Sequence, residues 1–186
     1  WTEILLGTVG MLKPGHEPEY QFVGPGVNPI TMSDDGRLFV GRLFLGQGLY
    51  ELDADLATDP VLLNEDLQLN SFDFGPDGYL YAPSFFTGEV LKIDVDSAAP
   101  VDTEVVASVG GVSSALKFNS LGEAYAVNIG EGLVMKLDFS GANNHEIVLD
   151  TEGTIDNIAF STDDRLFVAV GADNVIMRID SRGTTA

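Results

Sequence analysis

One unit is written four times along this chain, and that repetition constrains the fold more than any single motif. Its clearest copy is Phe74-Gly75-Pro76-Asp77-Gly78-Tyr79-Leu80-Tyr81, followed by Gly88-Glu89-Val90-Leu91-Lys92-Ile93-Asp94. The first copy runs from Met32 through Asp34-Asp35-Gly36 to Asp53, the third from Phe118 through Gly122 to Asp138, and the fourth from Phe160 through Asp163-Asp164 to Asp180. The turn residues Gly36, Gly78, Gly122 and Asp164 are spaced by 42, 44 and 42 residues. At that period self-similar units stack into one architecture.

Within each copy the apolar residues alternate over short runs and then break at Gly, Asp, Asn or Pro, which predicts strands joined by tight turns. In the second copy the expected strands are Ser71–Phe74, Tyr79–Pro83, Glu89–Asp94 and Thr103–Ser108. Pro fixes φ and Gly accepts positive φ, so Pro76-Asp77-Gly78 has a mechanical reason to reverse the chain. Four antiparallel strands per repeat predict an all-β fold, a β-propeller whose blades cover roughly 28–69, 70–112, 113–154 and 155–186. Neighbouring blades must supply one another's core, because a single sheet cannot bury both faces. The four repeats either close a ring by themselves or form part of a six-bladed one.

The ends bear on closure. The fourth copy stops after its third strand, so the missing outer strand is expected either from Glu19-Tyr20-Gln21-Phe22-Val23 or from another subunit, giving a homo-oligomer joined through edge strands. Residues 1–27 are expected to be an arm or one or two further strands. The chain starts at Trp1 with no basic region or apolar signal core, which reads as a mature secreted or periplasmic protein, or as a fragment.

Composition removes several function classes. Twenty-nine acidic residues against nine basic ones give a formal charge of -20, which repels phosphate backbones and anionic lipid, so nucleic acid is not an expected partner. No apolar run reaches the roughly 20 residues of a membrane-spanning helix. Without cysteine there are no disulfides, zinc–thiolate sites or thiol nucleophiles. There is no Gly-x-Ser-x-Gly elbow, phosphate-cradling loop, dinucleotide fingerprint or paired-histidine motif. His16 and His145 stand alone in surface-type segments.

Aligning the copies brings out a column of short polar residues. Eight positions before each turn residue stand Asn28, Asn70, Ser114 and Asp156, each at the entrance to the innermost strand. Oxygen-bearing side chains converging on one axis suit a hard divalent cation such as calcium. Alternatively, Asn, Ser and Asp at such entrances cap turns by bonding to nearby backbone.

The repeats, Asn70-Ser71-Phe72-Asp73-Phe74-Gly75-Pro76-Asp77-Gly78 above all, resemble the senescence marker protein/gluconolactonase family of six-bladed propellers, and more loosely the NHL-repeat propellers. The resemblance covers most of residues 28–180. It implies a hydrolase of a lactone or related ester that uses a divalent cation: calcium, or else zinc or manganese. Asn28, Asn70, Ser114 and Asp156 then stand as the metal column, with Asp156 as general base. Arg42 and Asn157 are the candidate substrate contacts, Arg42 for an anionic product. The chain departs from the family pattern at Ser114, where an aspartate is expected. It has no glutamate matching the remaining ligand, and it carries Pro29, Ser71 and Asn157 where the family has a small glycine. The alternative reading is a non-enzymatic secreted propeller whose faces bind protein or glycan.

Three further features have structural or functional readings. Asp53, Asp94, Asp138 and Asp180 end the third strands and are expected to accept backbone N–H bonds at the following turn. Lys117 and Asp73 are expected as an ion pair on neighbouring inner strands. Leu43-Phe44-Leu45 and Phe85-Phe86 either pack between blades or line a ligand or partner surface.

Overall fold

The computed structural model describes residues 1–141, 144–171 and 174–179. Among these residues every regular element is a strand, and no helix is long and apolar enough to cross a membrane. The fold is an all-β propeller of five small antiparallel blades. The first has three strands: β1 (Thr2–Glu3), β2 (Thr8–Met11) and β3 (Glu19–Phe22). The next holds β4 (Val27–Met32), β5 (Leu38–Arg42), β6 (Gly48–Leu52) and β7 (Val61–Asn64). It is followed by β8 (Asp73–Phe74), β9 (Leu80–Pro83), β10 (Glu89–Asp94) and β11 (Asp102–Ser108). The fourth blade holds β12 (Ser113–Phe118), β13 (Ala124–Asn128), β14 (Leu133–Leu137) and β15 (His145–Asp150). The last has β16 (Ile155–Phe160), β17 (Leu166–Val170) and β18 (Val175–Ile179).

The repeated turn explains why these strands form where they do. At Gly36, Gly78, Gly122 and Asp164 the N–H donates to the carbonyl three residues back, at 2.9–3.0 Å, on Ser33, Gly75, Asn119 and Ser161. The residue at that fourth position always has positive φ, between 58° and 87°. This is a hairpin whose last loop residue is left-handed, so Gly fits without cost and Asp tolerates it.

The expected count of four blades is corrected to five, and a six-bladed ring is absent from the described residues. Residues 19–22 pair within the N-terminal sheet. Glu19–Phe22 pairs with β2, in register Thr8↔Phe22 to Met11↔Glu19. Hydrogen bonds identify the N-terminal sheet as strands two to four of a blade. Gly7 O accepts from Val23 N, as Gly88 O does from Val109 N and Gly132 O from Thr151 N. The hairpin that marks the repeat joins strands one and two, so this sheet lacks the mark.

A second correction concerns Ser71–Phe74. Only Asp73 and Phe74 pair with β9, because Ser71 instead forms a parallel bridge to Ala115 and its carbonyl accepts from Leu116 N at 2.8 Å. Asp180 and the end of the last expected blade lie outside the described residues.

The chain divides into two units. The first comprises Trp1–Asn70 with Asp94–Asp102, and its core gathers Val9, Val27, Leu38, Val40 and Leu52. The second comprises Ser71–Ile93 with Thr103–Ala186, described to Ile179, and holds two apolar layers. Alternation along β12 sends Leu116 into the layer with Tyr81, Val90 and Met135, and Ala115 into the layer with Val134, Ile155 and Val168. Complete burial of a side chain such as Leu116 stabilises by about 1.5–3 kcal/mol. Tyr81 stacks on Phe139 and meets Phe118 edge-on, and Tyr125 meets Phe160 in the same way one blade later.

Candidate inner-strand site

The column residues sit where the inner strands lose register. Pairing shifts between Val27 and Ile30 in β4, between Ser113 and Leu116 in β12, and between Ile155 and Asn157 in β16. These intervals contain Asn28, Ser114 and Asp156. A bulge leaves a residue unpaired and re-aims its side chain, so three blades present a polar group at the same step. In β4 the bulge also accommodates Pro29, which cannot donate to a sheet ladder.

Within the first unit Asn28 and Asn70 are brought together: Asn28 Nδ2 donates to Asn70 Oδ1 at 3.1 Å. Rotating the Asn28 amide by half a turn exchanges its nitrogen and oxygen, which gives this pair two carbonyl oxygens. Within the second unit Ser114 is buried and its hydroxyl donates to Ile155 O at 3.2 Å, one residue before Asp156. Asp156 is exposed, and its carboxylate makes no hydrogen bond or ion pair among the described residues. Asn157 is exposed as well, with its Oδ1 accepting from the next residue's N–H, that of Ile158, at 2.8 Å.

As a donor set for a divalent cation these residues supply oxygen only, which matches a hard ion such as calcium and not a soft one. The amides and the Asp156 carboxylate fit in kind. Ser114 fits less well because its proton already serves Ile155. No three His, Cys, Asp or Glu side chains cluster for a metal among the described residues.

Arg42 is tied to its own unit. Its Nε and Nη2 donate to Pro25 O at 3.1 and 3.0 Å, its Nη1 to Tyr50 Oη at 3.3 Å, and Cβ atoms added at Gly24 and Gly46 would collide with the guanidinium. In the second unit Asn128 performs the same task. It is buried, with Nδ2 donating to Val109 O at 3.0 Å and Gly110 O at 3.2 Å, and Oδ1 accepting from Glu131 N at 3.1 Å. Each side chain clamps the loop that carries an outer strand into the next inner strand. No local motif marks Asn128, because its function depends on which loop carbonyls surround it.

Lys117 and Asp73 both lie on the inner strands of the second unit, but they bond mainly to backbone. Lys117 Nζ donates to Phe72 O at 2.9 Å, and Asp73 Oδ2 accepts from Phe118 N at 3.1 Å. Burial pushes the Lys117 ammonium below the usual lysine value, with the Asp73 charge opposing. The folded chain therefore holds this proton less tightly than the unfolded chain does. The destabilising contribution is present at neutral pH and fades as pH rises toward the unfolded value of about 10.4. Lys117→Met is expected to gain stability relative to the parent at pH 7, with the gap closing by pH 10, as read from urea denaturation at both values. A gap that is constant across this range refutes the assignment.

The aspartates that end the third strands bond as expected wherever they are described. Asp53 Oδ1 accepts from Asp55 N, Asp94 Oδ1 from Asp96 N and Asp138 Oδ1 from Ser140 N, at 2.9–3.1 Å. The Ser140 N–H and hydroxyl hold the Asp138 carboxyl below its ordinary range. Ion pairs brace two hairpins with their charges exchanged: Arg37 to Glu51 at 2.8 Å, and Glu123 to Lys136 at 2.5 Å. A shallow, open depression of about 410 Å³ between β14 and β15, lined by Lys136, Asp138, His145 and Glu146, holds none of the column residues.

No protein-family model and no curated protein matches the sequence. Solved structures match the fold. A virginiamycin B lyase from Staphylococcus aureus superposes with TM-score 0.75 at 15% identity, covering 97% of this chain and 62% of the lyase. The calcium-binding protein regucalcin from Agrobacterium tumefaciens gives 0.75 at 16% identity, covering 98% and 66%. A gluconolactonase from Xanthomonas campestris gives 0.65 at 20% identity, covering 78% and 54%. The chain spans less than two thirds of the length of the lyase structures it matches.

Proposed function

We propose that this chain supplies the inner strands of a divalent-cation-dependent hydrolase acting on a lactone or related ester. The observation that carries the reading is the repeated bulge, which sets Asn28, Ser114 and Asp156 at one step of three blades. The likeness to a gluconolactonase and to a calcium-binding regucalcin supports it at the level of fold. The candidate ligands are Asn28 and Asn70 in the first unit and Asp156 in the second, while Ser114 positions its strand through Ile155. When bound, such an ion polarises an ester carbonyl and acidifies water. Asp156 is exposed and has no partner among the described residues, so its carboxylate is available to accept the proton of an attacking water. Arg42 is engaged in clamping its loop, which leaves Asn157 as the candidate substrate contact beside Asp156.

The test is calorimetric titration with calcium, zinc and manganese, alongside lactone hydrolysis on gluconolactone. Asp156→Asn and Asn28→Ala are each expected to weaken cation affinity by about 10- to 100-fold and to lower turnover with it. Asp94→Ala should leave affinity unchanged and reduce stability alone. If the parent binds no cation, or Asp156→Asn binds as tightly as the parent, the hydrolase reading fails. A non-enzymatic binding propeller then takes its place, a reading favoured by the fact that Asn28, Asn70 and Ser114 already spend their polar groups within the protein.

A further inference from the structure

We propose that the loop end of the first unit is a docking surface for a basic segment of a partner protein that presents apolar side chains. Two hairpin tips meet there, Ile4–Gly7 between β1 and β2 and Leu43–Gly46 between β5 and β6. Between them runs Gly24-Pro25-Gly26, fixed on one side by Gly26 N to Ile4 O at 2.8 Å and on the other by Leu43 N to Gly26 O at 2.7 Å. The approach is so close that a Cβ at Gly26 would sit 2.5 Å from Leu43 O, and one at Gly7 would sit 2.4 Å from Gly24 C. The two tips are therefore held as one surface. It displays four large apolar side chains: Leu5 at 79% exposure, Leu6 at 66%, Phe44 at 59% and Leu45 at 55%. Leu43, in the same run, is fully buried and anchors the hairpin.

The backbone at Phe44 is a second, independent sign. Leu45 N donates to Leu43 O at 2.8 Å across a Phe44 with φ of 66°, a γ-turn with positive central φ. Such turns are rare and strained, and a bulky residue at positive φ is a true outlier. The hairpins joining strands two and three in other blades take their positive φ at Gly7, Gly88, Gly132 and Asn174, where strain is small. Here the positive φ falls on Phe44, a residue 59% exposed. Strain of this kind persists at ligand clamps because the surrounding structure enforces it.

Charge selects the occupant. Gly48 N donates to Leu67 O and Gln68 Nε2 to Gln47 Oε1, both at 2.8 Å, which draws the Glu65-Asp66 loop beside the β5–β6 hairpin. With Glu3 this end of the unit carries three carboxylates, and its one cation, Arg42, is spent on Pro25 O and Tyr50 Oη. An apolar surface with an acidic rim, on a chain of charge -20, is complementary to Lys- or Arg-rich segments and repels anionic lipid.

The experiment uses fluorescence anisotropy with three labelled peptides of equal length: one of Leu and Lys, one of Leu and Glu, and one of Ser and Lys. The Leu/Lys peptide is expected to bind at least tenfold more tightly than either of the others. The double variant Leu5→Ser/Phe44→Ser, and separately Leu6→Lys, should each weaken that binding about tenfold or more. The control Leu121→Ser/Ile147→Ser, which removes exposed apolar groups of the second unit, should leave it unchanged. The proposal is overturned if Ser/Lys binds as tightly as Leu/Lys, since net charge alone then suffices, or if the two patch variants bind like the parent. It is also overturned if the patch variants lose binding to neutral phosphatidylcholine vesicles while peptide binding persists, since the surface then reads lipid. Thermal melts of every variant check that the fold is retained, and Leu6→Lys, on a fully displayed side chain, keeps the test decisive should Phe44→Ser disturb its turn.

Discussion

Gly132→Ala is expected to cost about 3 kcal/mol or more of stability, while Gly78→Ala, at nearly the same backbone conformation, costs about 1–2 kcal/mol. Both residues have positive φ, 69° and 82°. An alanine in that region pays the same left-handed penalty at either place. The difference lies in the surroundings. Nothing lies within 4 Å of a Cβ at Gly78, whereas one at Gly132 would sit 2.2 Å from Gly153 O and 2.8 Å from Thr151 Oγ1. Neither neighbour can easily give way: Thr151 N donates to Gly132 O, and the single Thr151 hydroxyl proton is shared between Gly132 O at 3.1 Å and Gly153 O at 2.9 Å. Moving the loop therefore breaks the bonds that tie the β15–β16 connection to the β13–β14 hairpin. Urea denaturation of the two variants measures the contrast, and equal costs would show that crowding at Gly132 is relieved without loss.

Much of this architecture was legible because the information is local. Gly36, Gly78, Gly122 and Asp164 recur at a fixed spacing, and each specifies a hairpin through its own backbone preference, so strand order follows from the turns. The N-terminal segment is legible as strands but not as a blade, for the same reason. Its strands correspond to the second, third and fourth of the repeat, and the marking turn lies between the first and second. Ser71 reads locally as pairing within its own blade. Its alternation matches an inner strand, but its carbonyl bonds across to Leu116, a choice made by the neighbouring blade and invisible in the local pattern. In the candidate site the spacing of Asn28, Asn70, Ser114 and Asp156 was legible, and the bulges were not. A bulge belongs to the register of two strands, and Pro29 is its one local trace. The short segment Leu43-Phe44-Leu45 shows the limit of reading by residue type, since Leu43 is core while Phe44 and Leu45 stand in solvent.

Asn128→Ala is expected to destabilise by about 3 kcal/mol, more than most polar-to-alanine changes, because it strips partners from several backbone groups at once. The side chain is 1% exposed. Its loss leaves Val109 O, Gly110 O and Glu131 N without these bonds, and of the three residues Val109 is buried. A buried acceptor without a partner costs about 1–3 kcal/mol. Asn128→Asp is the sharper variant, since it keeps an acceptor for Glu131 N but turns the two donated bonds into oxygen–oxygen repulsion, and it should be at least as damaging as alanine. Arg42→Ala, the equivalent change in the first unit, is expected to cost about 1.5–3 kcal/mol through the lost charge-assisted bonds to Pro25 O. That pairing of variants separates two accounts of Arg42. If it clamps a loop, denaturation midpoints fall in Arg42→Ala and Asn128→Ala alike, and any loss of ligand affinity tracks stability. If Arg42 instead meets an anionic ligand, its alanine variant should melt like the parent and lose affinity selectively, an outcome that the observed bonds to Pro25 and Tyr50 argue against.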